Sequence, residues 1–298
     1  MLASDPTRRS ERQDRSATHG LTGAGPARPV LAQVPAVDYE RPPVVETVLG
    51  VQFAPLRSLS VIHLGLYWAE IRGKYPHQEI QPPLPHEVEE FPRKLGVRVG
   101  IELMAEPEAR PWFIDATSTE LLQVQKDRFI RNWRQREIPK DVYPRYEVLL
   151  PKFEEDWGAF VAFLEREDLG RPHVDQCEVT YVNLIEPGPA WSSFGDLSEA
   201  FTIFRTPEHR FLPEPEAVLL NTHYAMPDRA GRLHVSVQPA IRRADGAEVL
   251  QLKLTARGAP RSSETSDLRE WFNLGHQWVV HGFDDVVTPK MRVFWGKR

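Results

Sequence analysis

Residues 123–134, Gln-Val-Gln-Lys-Asp-Arg-Phe-Ile-Arg-Asn-Trp-Arg, offer the densest chemistry in this sequence. Read as part of one long strand over 120–134, alternate side chains fall on opposite faces. Gln123, Gln125, Asp127, Arg131 and Trp133 then share one face, while Val124, Lys126, Arg128, Ile130, Asn132 and Arg134 share the other. Neither face is cleanly apolar. Guanidinium groups beside Phe129 and Trp133 can grip phosphate or carboxylate, or stack on a base. Gln123, Gln125, Arg131 and Trp133 are therefore the candidate ligand- or partner-binding residues, with Arg131 on the open face and free to hold an anion. On that reading Arg131→Ala spares stability and Arg128→Ala costs it. The structural alternative is a long edge strand whose charges blunt aggregation.

Other constellations carry less. His173, Asp175 and Cys177 alternate on one expected strand. The two ends of an i, i+4 pair lie ~13 Å apart there, so no Cys–His nucleophile pair forms and Cys177 reads as a small buried residue. His276 and His281, five apart on a helix, point about 140° away from each other and do not share a metal. The glycine-rich phosphate loop, the dinucleotide fingerprint, Gly-x-Ser-x-Gly and His-Glu-x-x-His are all missing from the sequence. No catalytic residue, metal ligand or cofactor is expected. Cys177 is the sole cysteine, which excludes an intrachain disulfide and a Cys-rich zinc site.

These groups need a scaffold, and hydrophobic periodicity supplies one. Val44 to Phe53 reads as a strand. A helix over 58–72 follows, with Leu59, Ile62, Leu66 and Ala69 inward and Ser58 or Ser60 as its N-cap. Residues 77–93 are Pro-rich and read as a surface loop or extended arm. Strands over 97–105, 112–117 and 120–134 lead to a helix over 152–166, whose apolar stripe is Phe153, Trp157, Phe160, Val161 and Leu164. The order then repeats: a strand over 173–185, a short helix over 194–204, strands over 217–226, 233–242 and 249–257, and a helix from Asp267 with Ser266 as N-cap. A short strand or tail over 292–295 ends the chain. In Leu233-His234-Val235-Ser236-Val237-Gln238 apolar and polar residues alternate strictly. One face is core; the other is wet or binds something.

The fold class expected is α+β, as two successive β-α-β-β-β-α units in a largely antiparallel curved sheet with helices on one face. The first unit spans 39–170 and the second 171–298, as halves of one continuous domain. Residues 1–38, rich in Arg, Ser, Gly and Pro and without an apolar run, are expected to be a disordered extension.

Three blocks resemble a sporadically distributed family of bacterial proteins of unknown function. They are Arg41-Pro42-Pro43-Val44-Val45-Glu46-Thr47-Val48, the 123–134 stretch followed by Tyr143-Pro144-Arg145-Tyr146, and Thr180-Tyr181-Val182-Asn183-Leu184-Ile185. The resemblance covers about residues 40–296. It implies no activity, cofactor or site residue; its patchy occurrence suggests a defence or mobile-element setting.

Composition narrows the function further. With 42 acidic against 37 basic residues the net charge is −5, which disfavours a general nucleic-acid surface but leaves room for a local basic patch. No apolar stretch approaches the ~20 residues that span a bilayer. The expectation is a cytoplasmic, non-enzymatic binding or regulatory module with a protein partner or small ligand. Two alternatives stay open: a small-molecule or nucleotide-binding protein with a pocket between sheet and helices, and a nucleic-acid binder using the open sheet face.

Overall fold

Period-two alternation of apolar side chains builds one large sheet in the computed structural model, which describes residues 37–92, 109–136, 141–188, 191–205, 211–242 and 245–298. In chain order the elements are β1 (Val44–Phe53), α1 (Val61–Ile71), β2 (His77–Gln81), β3 (Arg110–Ile114), β4 (Glu120–Gln125), β5 (Arg128–Arg134), α2 (Tyr146–Arg166), β6 (Val174–Ile185), α3 (Leu197–Ala200), β7 (Leu220–Ala225), β8 (Arg232–Ile241), β9 (Glu248–Gly258), α4 (Thr265–Val286) and α5 (Pro289–Phe294). The nine strands lie in the order β2-β3-β4-β5-β1-β6-β9-β8-β7. Every neighbouring pair is antiparallel. The sheet is curved and unclosed. Residues 36–298 cluster as one compact unit.

One face of the sheet is the core. Leu49, Val51 and Phe53 on β1 share it with Phe129 on β5 and with Cys177 and Val179 on β6. Helix α2 lays its predicted stripe against them: Phe160 stacks on Phe129 at 5.2 Å, and Trp157 meets Phe53 at 5.8 Å. Helix α4 covers β6, β8 and β9 at close range. A Cβ on Gly282 would lie 2.5 Å from Leu233, and one on Gly275 would lie 3.1 Å from Val179. The missing Cβ atoms let the helix pack this close without displacing those side chains.

Several elements differ from the periodicity-based expectation. The strand over 120–134 is a hairpin, β4 and β5, joined by Lys126 and Asp127. The loop over 77–93 contains β2, paired with β3. Among the described residues the first half therefore holds five strands, and the second four. The strand expected over 97–105 and the extension over 1–36 lie outside the described residues. In α1 the phase is rotated: Leu64 and Tyr67 are buried, while Ile62 and Leu66 are exposed. Tyr67 wins because its ring wedges against both Phe160 and Phe163 at 5.2 Å, burying more area than a leucine. Helix α2 starts at Tyr146, earlier than 152, and carries Pro151 in its second turn. Residues 289–294 are helical, not a strand, because Thr288 caps the helix through the Met291 N–H and Pro289 sits at its first turn.

Candidate functional site

The two-residue turn at Lys126 and Asp127 decides where the candidate residues go. Across it odd-numbered positions pair with even ones, as in Gln123 with Ile130 and Gln125 with Arg128. Facing partners share a side of the sheet. Gln123 and Gln125 therefore lie on the open face, and Arg131 and Trp133 lie on the helix side. The shared face expected for all four is corrected: reading a hairpin as one strand inverts every residue beyond the turn.

On the helix side Arg131 is 2% exposed. Its Nε donates to Asp156 Oδ2 of α2 at 2.9 Å, and its Nη2 to Glu120 Oε2 at 2.5 Å. Lys152 donates to Glu120 at 2.5 Å; Lys74 and Tyr75 donate to Asp156 at 2.7 Å each. Burial acts to lower the Arg131 pKa, but Tyr75, Glu120 and Asp156 outweigh it and raise it. Arg131 is a buried cation whose Nε and Nη2 are already spent on Asp156 and Glu120. Trp133 packs on Tyr143 with ring centres 5.6 Å apart.

The open face tells a different story. Residues 82–92 run across it at one end of the sheet, meeting the strands in their spatial order. Arg110 on β3 donates to the Pro82 carbonyl at 2.9 Å. The Gln125 carboxamide on β4 takes the Leu84 N–H at 3.0 Å and donates to the Leu84 carbonyl at 3.1 Å. Arg128 on β5 donates to the Pro85 carbonyl at 2.7 Å. Gln52 on β1 repeats the pincer on Glu87, at 3.1 Å to its N–H and 2.9 Å to its carbonyl. Gln176 on β6 donates to the same Glu87 carbonyl and accepts the Glu89 N–H at 2.9 Å. Arg257 on β9 pairs with the Glu87 carboxylate, and Arg232 and His234 on β8 pair with Glu89. The Arg232 guanidinium also sits 4.5 Å over the Phe91 ring.

Spacing explains the fit. Five strand gaps of about 4.8 Å separate β4 from β8, ~24 Å in all. Six residues of extended chain cover ~20 Å, and side chains close the rest. Gln52, Gln125 and Gln176 are each 4% exposed. An amide carries both a donor and an acceptor, so it can match one backbone N–H and one C=O regardless of the side chain between them. Burial acts to raise the Glu89 carboxyl, but His234, Arg232 and Arg257 outweigh it and hold it below the usual carboxylate range.

Gln123, by contrast, is bound within the sheet by Trp112 at 3.0 Å and Asn132 at 2.8 Å. Gln52, Gln176, Arg232, His234 and Arg257 were not singled out as site residues. The alternation through His234 marked the polar face, but nothing local ties it to a segment some 145 residues earlier. Cys177 is buried and His173 exposed; burial, then Asp175, pushes the thiol pKa up. His276 stacks on Tyr146 at 3.9 Å and bonds Tyr181 at 3.0 Å. Among the described residues no three His, Cys, Asp or Glu side chains gather as a metal site, and no helix is long and apolar enough to cross a membrane. Compared with known proteins, the chain matches no family model, no curated protein and no solved structure.

Proposed function

We propose that the protein is a non-enzymatic binding module that holds an extended polypeptide across the open face of its sheet. The observation that carries this reading is the set of carboxamides Gln52, Gln125 and Gln176, each spent on the backbone of residues 84–89. Side chains that grip a backbone by its N–H and C=O groups recognise extended chain as such, a task that strand addition performs with the sheet's own backbone. Residues 82–92 are the occupant of that face in this chain. The reading fits a sequence without a recognisable catalytic motif and a resemblance that implies no activity, and the defence or mobile-element setting stays part of the proposal.

The test is fluorescence anisotropy with a labelled peptide of the sequence of residues 81–92. The receptor is the full chain carrying Glu87→Gln and Glu89→Gln, which loosen the resident segment and spare the face. Saturable binding that disappears when Gln52, Gln125 and Gln176 are changed to Ala supports the reading. Binding that ignores those three changes, or no binding to the loosened chain, refutes it.

We infer further that the two halves use one plan twice. From the central β1·β6 pair, β5-β4-β3-β2 step outward on one side and β9-β8-β7 on the other. Each half opens on the central strand and ends its sheet with a long helix. A fragment of either half that folds alone would support this.

A small-molecule reading has one observation in its favour. A cavity of about 710 Å³ opens at the other end of the sheet, between Pro42, Tyr143, Leu184, Trp191 and Trp295. That volume suits a small ligand. Its arginines are already engaged, however: Arg145 with Asp38 and Arg242 with Glu186 and Asp245. Native mass spectrometry of the protein from its host separates the readings, since a retained metabolite favours the cavity.

A further inference from the structure

The occupant of the open face is chemically specific at one end. Arg232 is 5% exposed, and its recorded polar partners are the Glu89 carboxylate and the Glu90 carbonyl at 3.1 Å, with the Phe91 ring beneath. His234 Nε2 reaches the other Glu89 oxygen at 2.5 Å. Two residues earlier, Arg257 takes Glu87 while also holding Glu178 at 2.9 Å. Alternate residues of extended chain point the same way, so the Arg257 and Arg232 sites read positions i and i+2. Val88 between them is 53% exposed and unread.

The resident segment is attached in a way that lets it leave. No backbone-to-backbone hydrogen bond joins residues 82–92 to the sheet among the described residues. None of its side chains belongs to the hydrophobic core. The ties described above are side-chain hydrogen bonds, ion pairs and the Arg232–Phe91 contact. Lifting the segment exposes amides and cations that water can solvate, and it opens no apolar cavity. It does leave Arg232 without its carboxylate, so whatever replaces the segment must bring an acid.

We propose that residues 82–92 are a displaceable resident competitor, and that the partner is an acidic extended peptide with carboxylates two residues apart followed by an aromatic residue. This rests on the open-face reading above and adds selectivity and autoinhibition to it. Tethering gives the resident segment an effective concentration on the order of millimolar, so a free peptide must outcompete it.

The experiment titrates two labelled peptides, the sequence of residues 81–92 and the same sequence with Gln at both glutamates matching Glu87 and Glu89. Each is added to the full wild-type chain, to the Glu87→Gln/Glu89→Gln chain, and to that chain with Arg232→Ala. Hydrogen exchange at the Leu84, Glu87 and Glu89 amides reports whether the resident segment has loosened. Expected are faster exchange in the double variant, at least tenfold tighter binding of the acidic peptide to it than to wild type, and at least tenfold preference over the neutral peptide. Arg232→Ala should erase that preference, and added salt should weaken it. Equal binding of the two peptides overturns the acidic selectivity while leaving the open-face reading intact. Equal affinity of wild type and double variant, or unchanged exchange, overturns the competitor. No binding of either peptide to a loosened chain sinks both proposals. A single-stranded oligonucleotide that displaces the acidic peptide and binds more tightly would also overturn the peptide assignment.

Discussion

Arg131 and Arg232 are both almost fully buried, yet on opposite faces of the sheet they are buried by different means. Arg131 is sealed under α2 by Asp156, and its partners sit on elements that belong to the core. Arg232 is covered by residues 89–91, which lie on the open face and are not part of the hydrophobic core among the described residues. Removing a partner from the first strands a charge in a place water cannot reach. In the second, the cover can lift and let water in. Burial fraction alone does not distinguish a structural charge from a binding one; what does is whether the covering group can leave without opening the core.

That comparison can be broken most decisively at Arg131. Arg131→Ala should destabilise the fold by about 3 kcal/mol, because Asp156 and Glu120 lose their buried cation and keep only the partly exposed Lys74 and Lys152. The effect is comparable to truncating Trp157, at ~3–5 kcal/mol for a large buried aromatic. Urea denaturation reads both. A midpoint for Arg131→Ala near wild type would mean that the network relaxes into solvent and that the two faces are not different in kind.

The sequence carried the sheet and lost the site at a definite place. The apolar stripe of α2 and the alternation of β8 were legible because each is local and periodic. The hairpin inside 120–134 was not: Lys126 and Asp127 are weak turn formers beside the glycine-containing hairpin turns, and that one missed turn moved Arg131 and Trp133 to the wrong face. Gln52 and Gln176 were invisible for another reason. A single glutamine on an apolar strand carries no signal until the segment it holds, here 35 residues away for Gln52 and 87 for Gln176, is seen beside it. The Pro-rich stretch over 77–93 reads as a loop or an extended arm; residues 77–81 form β2, and residues 82–92 lie as an arm across the open face.

A smaller effect on the helix side should appear with pH. Burial, then the nearby charge of His281, lowers the His276 pKa to about 4 from an ordinary 6.5. Between those values the unfolded chain binds a proton at this position that the folded chain does not. Stability is therefore complete above about pH 6.5 and falls as pH drops toward 4, by on the order of 2–3 kcal/mol. His276→Phe keeps the stacking on Tyr146 and removes the titration, so the melting temperature of this variant should fall less across that window. Parallel curves for the two proteins would show that His276 titrates normally.

On the open face, Gln52→Ala should cost the whole fold no more than about 1 kcal/mol, since the Glu87 N–H and C=O it releases turn to water. Its local effect should be large. Hydrogen exchange across residues 84–90 should accelerate at least tenfold with little change in the melting temperature. A global loss matching that of Arg131→Ala would make residues 82–92 part of the core in energetic terms, and the distinction between the two faces would collapse.

The smallest effect is expected at Arg128, three residues before Arg131 on the same strand but on the open face. Its Nη2 donates to Gln52 and to the Pro85 carbonyl. Its Nε, however, is buried with no hydrogen-bond partner among the described residues. Arg128→Ala loses a hydrogen bond to the Pro85 carbonyl and one to Gln52 Oε1, which keeps the Glu87 N–H, and it also removes one unsatisfied donor, which offsets part of the loss. The net change should stay within about 0.5 kcal/mol, as for a surface position. The order expected from the single-strand reading, Arg128 structural and Arg131 dispensable, is thereby reversed. Urea denaturation of the two alanine variants side by side decides it: if Arg128→Ala proves the more destabilising, the register across the Lys126–Asp127 turn is wrong, and the assignment of Gln125 to the open face goes with it.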